Sequence, residues 1–158
     1  MLRVMTNSIN ATLVSLLDNH VARTTAALEG IPDEVFSADP GGGCNSIKGI
    51  CQHLAKLIGF DLAILESPRA GDAPAADAIV DATTAIETLT AGLGVVRAAI
   101  EEHDVEDWSV VPDPPRDGNW GDEATLARLA RPFNDYVNHL GGIRVIRRVA
   151  GAPAERTF

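Results

Sequence analysis

Aromatic side chains are scarce in this chain, with one Tyr, two Trp and four Phe among 158 residues. Its 46% hydrophobic content therefore rests on Ala, Leu, Val and Ile. That mixture suits helices better than the aromatic and β-branched faces of a sandwich, and it is too apolar for a disordered chain. Cysteine is nearly absent. Cys44 and Cys51 are seven residues apart, which is not a zinc-knuckle spacing, and two thiols make no disulfide framework. Cys51 reads as a small buried side chain. Basic charge is also short: 13 Lys and Arg stand against 22 Asp and Glu, a net charge of −9. Phosphate backbones would repel such a surface, which argues against nucleic acid as a partner. No apolar run is long enough to span a membrane, and the first ten residues lack the apolar core of a secretory signal. The expectation is one cytoplasmic domain over residues 1–158. Phosphate-loop, H-E-x-x-H and G-x-S-x-G patterns are missing as well.

What is present is helical periodicity. Leu13, Leu16, Leu17, His20, Thr24, Ala27 and Leu28 share one face of a helix expected over about 8–29, with Ser8 as its cap and Gly30 and Pro32 as its stop. After the loop GIPDEVFSADPGGG, Asn45 or Ser46 caps a second helix whose stripe is Ile47, Ile50, Cys51, Leu54, Leu57, Ile58 and Leu65. Pro68 ends it, and SPRAGDAPAAD connects onward. Ile79, Ala82, Ile86, Leu89, Leu93, Val96 and Ile100 alternate steps of three and four in a third helix ending near His103. Residues 104–122 form a long polar loop holding Trp108 and Trp120, each readable as a loop anchor or a pocket wall. The last helix begins near Glu123 on Leu126, Leu129, Phe133, Val137, Leu140 and Ile143, and Pro132 predicts a kink or break in it. Its basic end, Arg144, Arg147 and Arg148, reads as a favourable interaction with the helix dipole or as a partner-binding patch. Together these segments predict an all-α fold, a four-helix bundle with long loops.

Asp135 and His139 are one turn apart on the last helix, so a carboxylate oxygen and an imidazole nitrogen can share one ion. His53, in register with Ile50, Leu57 and Phe60 on the second helix, points toward the interior edge. Three ligands from two helices leave a position for water or substrate. Spacing by itself leaves another reading open, in which Asp135 pairs with Arg131 and His139 is a hydrogen-bonded core histidine. His20 lies in the first helix's apolar stripe and has two readings, a core histidine or a catalytic group that completes the metal shell or carries a proton.

The second-helix string NSIKGICQHLAKLIGFD resembles the N-S-I-x-x-I-x-x-H-L signature of the DinB/YfiT superfamily. The last-helix string DYVNHLGGIRVIRRVAG is similar to its H-x-x-x-H-x-G-Q-I-x-x-I-R-R-x-x-G. The resemblance implies a four-helix bundle, a homodimer, and a divalent metal, Zn²⁺ or Ni²⁺, held by His53, Asp135 and His139. Asp135 stands where the commonest pattern has His and where mycothiol-dependent maleylpyruvate isomerases have Glu. Gly142 replaces the usual Gln. In function it implies a metal-dependent enzyme acting on a small-molecule substrate, a thiol S-transferase or isomerase using a low-molecular-weight thiol, or a hydrolase. The alternative is a non-catalytic stress-related or partner-binding bundle that has lost the metal site.

Overall fold

The computed structural model describes residues 2–104, 106–111 and 123–153. All regular structure among them is helical. The helices are α1 (Leu2–Leu28), the short α2 (Asp33–Ser37), α3 (Ile47–Ile64), α4 (Ala82–Glu102) and α5 (Thr125–Val149). The four long helices form a ring in which α1 and α3 each pack on both α4 and α5. One core fills the ring, with Leu17, Leu28, Ile47, Leu54, Ile58, Leu93, Ile100, Leu129 and Ile143 buried. Cys51 is sealed among them, and burial pushes its thiol up to about 12, which removes it from thiolate chemistry.

Side-chain contacts give the helix directions. Asn10 meets the end of α4 while Asp18 meets Arg97, so α1 and α4 are antiparallel. His20 stacks on Tyr136 and Arg147 reaches Ala27, so α1 and α5 are parallel. Gln52 bonds Ile79 just before α4, whereas Arg69 just beyond α3 meets Glu102, so α3 and α4 are parallel. Parallel neighbours need a return connection along the bundle. Residues 65–81 supply it, with two 3-10 turns at Pro68–Asp72 and Ala76–Ala78. Gly92 of α4 lets this strap lie close, because a Cβ there would fall 2.7 Å from Pro74 Cγ and Ile58 Cδ1.

The caps explain most boundaries. Ser46 Oγ accepts from Gly49 N at 3.1 Å and starts α3. Asp81 and Thr84 form a reciprocal capping box at α4. Ile79 is buried but precedes that helix, so the apolar stripe begins one cap too early to mark the start. Gly30 at φ 65° ends α1 near the expected place, yet α1 begins at Leu2 and runs through Ser8. Pro32 starts α2, a helical turn inside what the sequence presented as a loop. α5 continues through Pro132 without a break. The proline forfeits one backbone bond, to the Arg128 carbonyl, while packing on both sides holds the helix together.

Trp108 is a loop anchor. It is buried against His103, with ring centroids 4.3 Å apart, and its Nε1 donates to Asn10 Oδ1 at 2.7 Å. Asn10 in turn donates to the carbonyls of Ile100 and His103, closing the C-terminal end of α4. Trp120 and most of the 104–122 loop lie outside the described residues. Arg147 does more than meet a dipole: it is buried and donates to the carbonyls of Ala27, Glu29 and Ala152.

Candidate functional site

α3 and α5 face each other in antiparallel register. A Cβ on Gly142 would touch Ile50 Cδ1 at 3.5 Å, so one turn later on α3 and one turn earlier on α5 brings His53 level with His139. Their ring centroids are 4.8 Å apart, edge to face. Two imidazoles bound to one Zn²⁺ through nitrogens ~2 Å away have centroids roughly 4.5–5.2 Å apart for angles between right and tetrahedral, so the pair fits a shared ion.

Burial differs from the expected inward orientation. His53 is exposed, as is Phe60 two turns on, while His139 is half-buried. The α3 stripe centres on Leu54, Ile58 and Leu62, which places His53 and Phe60 at the rim. Burial, then the neighbouring His53, holds the His139 pKa below the ordinary imidazole value, and the Asp135 carboxylate works against both. A neutral His139 is the form that offers a lone pair to a cation. Asp135 is half-buried one turn away and near enough to act on His139 electrostatically. Arg131, its alternative partner, pairs with Glu123. Among the described residues no group of three or more His, Cys, Asp or Glu is arranged to hold a metal ion. Two imidazoles with a carboxylate nearby thus describe the arrangement.

His20 is in different company. Its Nε2 lies 3.1 Å from Thr24 Oγ1, and its ring stacks on Tyr136 at 4.8 Å. The Tyr136 hydroxyl donates to Oδ2 of Asp61, which is fully buried. These four residues form a polar cluster inside the core, joining α1, α5 and α3. Burial drives each titration toward the neutral form. The His20 pKa falls to about 4, through burial first and the Arg23 charge second. The Asp61 pKa rises to about 8, through burial, with the Tyr136 hydrogen bond acting in the opposite direction. Tyr136 is pushed well above its ordinary value by burial and by Asp61. Among the described residues Asp61 Oδ1 has no hydrogen-bond partner.

No protein-family model matches the chain, and no curated protein matches it. The site therefore rests on its own residues. Asp61 and Tyr136 escaped the sequence reading, though a signal existed. Asp61 falls at i+7 from Leu54, on the apolar stripe, where a carboxyl needs a partner. Tyr136 sits on the α5 stripe between Phe133 and Leu140 and is the single tyrosine in the chain.

Proposed function

We propose that the chain is a divalent-metal-binding helical bundle of the DinB/YfiT kind, holding Zn²⁺ or Ni²⁺ through His53, His139 and Asp135. The observation that carries this reading is the edge-to-face approach of His53 and His139 across the α3/α5 interface. Imidazole suits both ions, and one carboxylate leaves the site net positive. A divalent cation there would acidify a coordinated thiol or water, supplying the nucleophile for thiol transfer, isomerisation or hydrolysis. The protein's own part is plain. The exposed His53 leaves the pair open to a small-molecule substrate, and Asp135 balances charge beside His139. A homodimer, a reduced cytoplasmic setting and a low-molecular-weight thiol cosubstrate belong to the same proposal, supported by the likeness of the two motifs.

Metal analysis of untagged protein tests it. Wild type incubated with Zn²⁺ or Ni²⁺ should retain about one ion per chain, consistent with a single set of ligands. His53→Ala and His139→Ala should lose it with helicity intact, and Asp135→Ala should weaken it. A wild type that stays empty under these conditions ends the metalloenzyme reading. It would leave the second one, a bundle that keeps the fold without the site, which the lack of a third converging ligand among the described residues favours.

A further inference from the structure

A cavity of about 280 Å³ opens between α1 and α5. Leu16, Phe133 and Val137 give it apolar walls, His20 and Tyr136 line it, and Arg23 completes the rim. His53 and His139 are not among its lining residues, so it is separate from the α3/α5 pair.

Three features set this cavity apart from a packing defect. First, His20 is 9% exposed and rigidly held, by Thr24 on one side and the Tyr136 ring on the other. Tyr136 is itself fixed by Asp61. A buried carboxyl, phenol and imidazole are harder to accommodate than apolar side chains of the same volume, and such sets concentrate where ligands bind. Second, Arg23 is exposed on the rim, its charge reaches His20, and it has no carboxylate partner among the described residues. Third, Leu16 and Val137 stay 52% and 59% exposed, one on each helix.

We infer that this cavity binds a small organic monocarboxylate with a compact apolar body. The carboxylate pairs with the Arg23 guanidinium, which offers a planar fork of donors. The body lies between Leu16, Phe133 and Val137, and the neutral His20 imidazole adds a hydrogen-bonding group at the inner end without bringing a second charge. The volume is at the small end of ligand sites, roughly 300–1,000 Å³, which suits a molecule the size of benzoate. A dianionic phosphate fits less well, because Arg23 is the one cation on the lining and the amides of Asn19 and Asn134 bring no charge to match the second.

Benzoate is the probe, and the protein is first stripped with EDTA so that the outcome is independent of any metal. Ring resonances of His20 and Tyr136 are followed by NMR during the titration. A saturable shift in the millimolar range is expected. Benzamide, with the same body and no charge, should bind at least about tenfold more weakly, as should benzoate to Arg23→Gln. Because Arg23 is exposed, that variant should fold; if it does not, the benzamide comparison decides. The inference is overturned by the lack of a saturable shift, by equal affinity for benzoate and benzamide, or by shifts confined to His53 and His139.

Discussion

Tyr136 of α5 donates its hydroxyl to the carboxyl of Asp61 on α3, in the middle of the core. The contact links the antiparallel helices α3 and α5 across the core, in addition to the packing between them. Burial of Asp61, against which the Tyr136 hydrogen bond works, makes the fold pH-sensitive. Asp61 titrates near 3.8 when unfolded and at about 8 when folded, so the unfolded chain releases its proton first. Stability is therefore lost as pH rises from ~4 through ~8. His20 has the opposite sense: its pKa is about 4 folded against 6.5, so stability is lost as pH falls through that window.

Asp61→Asn keeps an acceptor for Tyr136 and removes the ionisation. It should stabilise the protein by ~2 kcal/mol or more near pH 7.5, and by little near pH 4. Urea unfolding of both proteins at the two pH values checks this. A gain that fails to grow with pH would mean that Asp61 is ionised in the folded state.

Arg147 bonds three carbonyls, two of them at the end of α1. Arg147→Met should cost ~2–5 kcal/mol, because buried acceptors lose their donor. Arg147→Lys should rescue little, since one ammonium cannot reach both Ala152 and α1. Burial lowers the Arg147 pKa and so disfavours the cation, and the three carbonyl hydrogen bonds offset that cost. Thermal unfolding of the two variants distinguishes this from a surface role, for which both would be near neutral.

Two glycines of α4 should respond with opposite signs. Gly94 is exposed with open space around it, so Gly94→Ala should gain roughly 0.5–1 kcal/mol from helix propensity. Gly92→Ala gains the same propensity but pushes a methyl into Pro74 and Ile58, so a net loss of about 1 kcal/mol is expected. Denaturant midpoints for the pair are sufficient; equal gains would show that the 65–81 strap yields freely.

The helices were legible in the sequence because a period of three and four survives in every long segment, and stops such as Gly30 are local. What failed was non-local. Ser8 has cap chemistry, but nothing nearby in sequence says that α1 already extends from Leu2. Pro132 breaks helices in isolation, whereas here packing along α5 holds the helix through it. The nearness of His53 and His139 was suggested by the likeness of the two motifs, for spacing alone left a structural reading open. The exposure of His53 was not legible, because it depends on where the centre of the α3 stripe lies. The Asp61–Tyr136–His20 cluster joins three helices, and only their assembly brings its members together.

We propose that His53 and His139 share one divalent ion. Anomalous diffraction from crystals grown with Zn²⁺, collected at the zinc edge, tests it most directly. One strong peak is expected on the α3/α5 face, ~2 Å from a ring nitrogen of each histidine, with Asp135 turned toward it. A zinc-loaded crystal with no peak between these two rings, or with a peak bound by neither, would contradict it.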